Sequence, residues 1–140
     1  MSVANKAIIR RYMEELWNQG NLAVLDEIFA THFVDHIPAF LDSQSDFEET
    51  KQFVTGFRAA FPDVHITVED IIAEGDKIVC RWTTRGTHKG DLMGIPPTGK
   101  QLTFTGMTIL RIESGKIVER WVNWDALGVM QQLGVIPPRE

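Results

Sequence analysis

The chain has 140 residues, 44% hydrophobic and 24% charged, with a net charge of −5 from 14 basic and 19 acidic side chains. That is the length of one domain, with enough apolar side chain for a core, and the acidic balance excludes a basic nucleic-acid-binding face. The single cysteine, Cys80, excludes an internal disulfide, and an N-terminus broken by Arg and Glu reads as neither signal peptide nor membrane span, so a cytoplasmic location is the default expectation.

Ile8, Tyr12 and Trp17, with Ile9, Met13 and Leu16 between them, predict an amphipathic first helix whose other face carries Arg10, Arg11, Glu14 and Glu15. Gly20 in Asn18-Gln19-Gly20-Asn21 suits a left-handed cap. A short helix with Leu22, Leu25 and Ile28 on one side follows, then an extended piece, Phe33-Val34-Asp35-His36, closed by Pro38. Ser45 or Asp46 can cap a third helix with Glu48 and Glu49 in its first turn, Phe53, Phe57 and Ala60 on its buried face, and Pro62 as its stop.

Beyond Pro62 the pattern becomes that of strands: Val64 to Ala73, Lys77 to His88, Leu102 to Ile112 and Lys116 to Trp124, rich in Val, Ile, Thr and Trp. Glu74-Gly75-Asp76 and Glu113-Ser114-Gly115 are tight-hairpin sequences, so an antiparallel meander is expected. A short helix from Ala126 to Gln132 ends at Gly134, and Pro137-Pro138 marks the tail. Helices followed by strands make one α+β domain over residues 1–140, with the helices lying on one strongly curved, mostly antiparallel sheet that would enclose a core with an open end.

The run Gly86-Thr87-His88-Lys89-Gly90-Asp91-Leu92-Met93-Gly94-Ile95-Pro96-Pro97-Thr98-Gly99-Lys100 resembles the signature loop of the SnoaL-like polyketide cyclase family, within the nuclear transport factor 2-like superfamily. Asp35-His36, Phe61-Pro62-Asp63, the stretch from Arg111 to Trp121, and Asp125 match in the same order. The resemblance implies a cone-shaped sheet, a homodimer, an apolar cavity without metal or organic cofactor, and, in characterised cyclases, aldol ring closure of a polyketide ester by an acid/base aspartate. The chain departs from the pattern after Gly106: Thr108 stands where the family often carries that aspartate.

His88, ending its strand beside a glycine-rich loop, is a candidate for proton transfer at the pocket rim, or else holds the loop in shape. Only one of Asp35 and His36 can point inwards; His36 is assigned to the pocket and Asp35 to capping or pairing outside it. Period-two alternation puts Ile117, Glu119, Trp121, Asn123 and Asp125 on the inner face and Val118, Arg120, Val122 and Trp124 on the outer. Asp125 is then a pocket carboxylate, the third catalytic candidate, or the N-cap of the helix from Ala126. Glu119 needs a partner, and Arg111 is the natural one; a turn with a glycine bulge places Ile109 opposite Glu119, whereas a two-residue hairpin would flip the facing set.

Trp82, Trp121, Asn123, Met107, Phe40 and Phe104 are the expected substrate-binding residues of the pocket. Val118, Val122 and Trp124 read as an outward stripe and a dimer interface through the sheet. His32, His36, His65 and His88 lack the spacing of a helical zinc motif, so no metal is expected. Pro96-Pro97-Thr98-Gly99-Lys100 is not a phosphate loop; it stiffens a loop over the pocket with Gly94 and Gly99 as hinges. Three functional readings follow: a cofactor-independent cyclase or isomerase enolising an apolar carbonyl compound, a non-catalytic domain holding an apolar metabolite, and an epoxide-opening hydrolase.

Overall fold

A computed structural model of the chain describes residues 2–36, 43–92 and 94–137. The N-terminal amphipathic segment forms α1 (Ser2–Arg11) and continues without a break as a π-helical segment, Tyr12–Asn18. The apolar stripe accounts for the change. Tyr12 and Trp17 are five positions apart, an interval that i→i+5 hydrogen bonding brings onto one face and an α-helix does not. Their rings meet edge to face at 6.2 Å. The segment ends at Gly20, whose φ of +70° is left-handed. Arg58 fixes this end by donating to the carbonyls of Trp17 and Asn18, both at 2.7 Å.

Next come α2 (Val24–Ile28), β1 (Phe29–His36), β2 (Ser43–Asp46) and α3 (Phe47–Ala60). Ser45 and Asp46, expected at a helix cap, pair with β1 as the end of β2, and α3 starts directly after them. Val54 and Ala60 are buried on α3, whereas Phe53 is 42% exposed. Four longer elements follow, β3 (His65–Glu74), β4 (Lys77–Thr87), β5 (Gln101–Glu113) and β6 (Lys116–Trp124), and then α4 (Ala126–Leu133).

The six strands form one open sheet in the order β2-β1-β6-β5-β4-β3. Every neighbouring pair is antiparallel except β1 and β6, which run parallel. The helices share one face with the core, where Ile9, Leu16, Leu25 and Val54 meet Ile78, Cys80, Leu110 and Ile117 of the sheet. The chain is therefore α+β with helices packed on a mostly antiparallel sheet. Among the described residues, no helix is long and apolar enough to cross a membrane.

One register correction decides the rest of the molecule. Ser114 and Gly115 both have positive φ, +51° and +76°, and Glu113 pairs with Lys116. This is a two-residue turn of type I′, not the glycine-bulge turn expected. The extra residue sits further along, at Val118: Ile112 pairs with Ile117, and Arg111 with Glu119. A bulge shifts side-chain parity by one. Ile117 points into the core as expected, but beyond Val118 the faces exchange, so that Arg120, Val122 and Trp124 turn inwards and Glu119, Trp121 and Asn123 outwards. Ile109 consequently lies opposite Trp121, not Glu119.

Candidate functional site

Between the inner face of the sheet and the helices lies a cavity of about 320 Å³. The π-helical segment contributes Tyr12, Met13 and Trp17 to its wall, and the sheet contributes Trp82, Phe104, Thr108, Val122 and Trp124. Gln52, Phe53 and Gly56 of α3, together with Asp91 of the loop after β4, are exposed lining residues and mark the mouth. Trp82 fits because its partner across β4 and β5 is Gly106: a Cβ there would lie 2.4 Å from the indole.

Polar groups reach this apolar wall at few places. Thr108, buried on β5, accepts from Trp82 Nε1 at 3.0 Å. Thr84, 1% exposed, carries a hydroxyl without a partner among the described residues. Arg120, 4% exposed, closes one end. Its Nε donates to Asp35 Oδ1 at 2.7 Å, its Nη2 to Asp35 Oδ2, and its Nη1 to the Tyr12 hydroxyl at 2.9 Å. Burial opposes the charge on Arg120, but Tyr12 and Asp35 outweigh it and hold the guanidinium protonated. Asp91 accepts from Gly94 N–H at 3.2 Å and is the carboxylate among the lining residues.

The placements of the sequence candidates divide. Trp82 and Phe104 line the cavity. Phe40 lies outside the described residues. Met107 is 54% exposed and pairs with Asn123 on the outer face, where Trp121 also lies, so these three do not line it. Val122 and Trp124, expected outside as a dimer stripe, line it instead, and the Trp124 ring sits 5.9 Å from Phe104.

His36 and Asp35 exchange their expected places. Phe33 is buried, and alternation carries Asp35 inwards with it, 8% exposed. His36 goes outwards, stacks on Trp121 at 5.1 Å and meets Glu119 at 2.8 Å. Glu119 also takes the Arg111 guanidinium at 2.9 Å, as expected for that pair. Arg111 first, and His36 second, hold Glu119 below the ordinary carboxylate range.

Asp125 is exposed and caps α4, accepting from Gly128 N–H at 2.9 Å; it does not line the cavity. His88 is not a rim residue: it is fully buried and outside the lining set. Its backbone bonds Lys100 and Gly99, and Thr98 N–H donates to its Nδ1 at 3.2 Å. The Thr98 hydroxyl lies 3.0 Å from the same nitrogen, and Nε2 is buried without a partner among the described residues. The Phe61-Pro62-Asp63 motif docks on the same strand end. Phe61 packs against Gly86, and the Asp63 carboxylate takes the N–H and hydroxyl of Thr87, both at 2.7 Å. The two motifs build the root of the loop that carries Asp91 and Leu92 to the mouth.

The groups missed in the sequence are Tyr12, Asp35, Arg120 and Thr84. A signal for Asp35 was present: Phe33 as a core anchor fixes its parity, and a buried carboxylate demands a cation, although which cation answers it depends on the register of β6. Cys80 is buried, and desolvation pushes its thiol up to about 11, which makes it an inert core group. Among the described residues, no group of three or more His, Cys, Asp or Glu is placed to hold a metal ion.

The sequence model of the SnoaL-like polyketide cyclases matches residues 7–133. The chain is 27% identical over 131 residues to aklanonic acid methyl ester cyclase DnrD of Streptomyces peucetius, covering 91% of this chain and 88% of that one. IdmH of Streptomyces antibioticus, provisionally assigned as a polyketide cyclase, superposes with a TM-score of 0.78 at 34% identity, covering 93% of this chain and 98% of that one. AclR of Streptomyces galilaeus, provisionally assigned as a hydroxylase, superposes with a TM-score of 0.83 at 28% identity, covering 97% and 84%.

Proposed function

The chain belongs to the SnoaL-like polyketide cyclase family, and from that membership we propose that its cavity binds a flat, largely apolar carbonyl compound of polyketide type and enolises it, as ring closure or isomerisation requires. The observation that carries this reading is the cavity wall: aromatic and aliphatic on nearly all sides, with hydrogen-bonding groups at a few fixed points and a carboxylate, Asp91, at the mouth. Enolisation needs a base to take the proton from the carbon beside the carbonyl, and a donor for the oxygen that receives the electron pair. Asp91 is the carboxylate within the lining, and its place at the mouth sets it where a bound ligand would enter.

The test is deuterium exchange at C2 of α-tetralone in D2O, followed by proton NMR. Catalysed exchange is expected in the native protein and a loss of about 100-fold in Asp91→Asn. No exchange above buffer would overturn the enzymatic reading.

A second reading, binding without chemistry, is favoured by Thr108, a neutral residue spent on Trp82 at the position where the family often has a carboxylate. Binding of α-tetralone with no exchange would select it.

A further inference from the structure

Tyr12 holds a donor that the fold leaves unused. Its phenol oxygen accepts from Arg120 Nη1 at 2.9 Å, and a guanidinium has no lone pair to receive the phenol proton. Among the described residues the hydroxyl makes no other hydrogen bond, although the side chain is 2% exposed and lines the cavity. A buried O–H without an acceptor is costly unless something in the cavity supplies one.

The charge at this end balances. Asp35 takes Nε and Nη2 of Arg120, so cation and anion offset each other, and at this end of the cavity the Tyr12 hydroxyl is the lining group among the described residues with a proton to donate. A carboxylate ligand would bring an uncompensated charge into an apolar space, whereas a ketone or ester oxygen brings only the acceptor that the phenol lacks. The guanidinium behind the ring oxygen polarises the O–H and strengthens its bond to a ligand.

We infer that Tyr12 is the hydrogen-bond donor for the carbonyl oxygen of a neutral ligand, with Arg120 polarising it and Asp35 balancing Arg120. This rests on the cavity being the site of a carbonyl compound, as proposed above, and places the oxygen at the end formed by the π-helical segment and β6. It also names the class that is rejected: free carboxylic acids in their ionised form.

The experiment compares α-tetralone with tetralin, the same two rings without the carbonyl, by quenching of the cavity tryptophans Trp17, Trp82 and Trp124. In a cavity with no free donor, leaving water would cost the ketone about 10-fold or more relative to the hydrocarbon. The native protein is expected to bind the two within a few-fold of each other. Tyr12→Phe should weaken α-tetralone by about 10-fold and leave tetralin unchanged.

Equal effects on both probes, or none on either, overturn the inference. So does a native protein that prefers tetralin by about 10-fold or more, a measurement that needs no variant. If neither probe binds the native protein, the cavity reading itself falls and takes the inference with it, an outcome distinct from the loss of carbonyl preference alone.

Discussion

Asp35 and Arg120 are register partners across the parallel β1–β6 pairing, and their side chains close on each other inside the core. The pair joins the first strand to the last over a separation of 85 positions, and Tyr12 of the π-helical segment completes it. Charges so deeply buried persist only as a set. Asp35→Leu or Arg120→Met alone should cost about 3–5 kcal/mol, because each strands the opposite charge. The double replacement Asp35→Leu with Arg120→Met should recover most of that loss. Urea denaturation of the four proteins checks it, and additive losses would contradict the coupling.

Gly56 offers a way to close the cavity without damaging the helix. It lines the mouth on α3, and a Cβ built there meets nothing within 4 Å. Gly56→Leu should stabilise α3 by about 1 kcal/mol through helix propensity, while the new side chain fills the entrance. A raised melting temperature with binding of α-tetralone abolished is the expected pair of results.

The Thr84 hydroxyl is buried without a partner among the described residues. Thr84→Val keeps the shape and removes the polar atom, so thermal unfolding should show a gain of about 1 kcal/mol. A loss of that size would mean that the hydroxyl is satisfied in solution.

His88 anchors the loop through Thr98, Gly99 and Lys100. We expect His88→Ala to cost about 2 kcal/mol and Thr98→Val about 1 kcal/mol. Activity per folded molecule should be unchanged in both, as measured by exchange rate corrected for the folded fraction. A large loss of rate in a fully folded His88 variant would restore a catalytic role.

Acid sensitivity follows from carboxylates held below their ordinary values of 4.5 for Glu and 3.8 for Asp: Glu119 by Arg111 and His36, Asp63 by the N–H and hydroxyl of Thr87, and Glu15 by Arg11. A depressed carboxylate lends stability above its unfolded-state pKa and loses it as pH falls through the folded one. Stability should therefore decline on acidification below about pH 4.5 and be level with respect to these groups above it. Glu119→Gln should flatten that decline in melting temperature measured against pH. An unchanged slope would show that the outer-face cluster does not contribute.

Much of this protein was legible in the sequence because its signals are local. Apolar spacing and Gly20 marked the first helix, Val- and Thr-rich runs with Gly75 and Gly115 marked the hairpins, and the Gly86–Lys100 run pointed to the family. The meander of β3 to β6 and the pairing of Arg111 with Glu119 also followed from short-range pattern. Trp82 and Phe104 were expected on the cavity wall and line it, whereas Met107, three positions after Phe104 and so of opposite parity, was expected there too and faces outwards.

What the tertiary structure alone decided was which side of β6 faces inwards. One unpaired residue, Val118, reverses the parity of every side chain after it, and nothing in the sequence near Val118 announces a bulge. That single step removed Trp121 and Asn123 from the cavity wall, brought in Val122 and Trp124, and turned Arg120 from an expected surface residue into a buried cation. The partner of that cation depended on the parallel pairing of β1 with β6, a contact between strands far apart in the chain. Sequence pattern determines the elements because their causes lie within a few residues; the site is built from Tyr12, Asp35 and Arg120, which only the closed fold brings together.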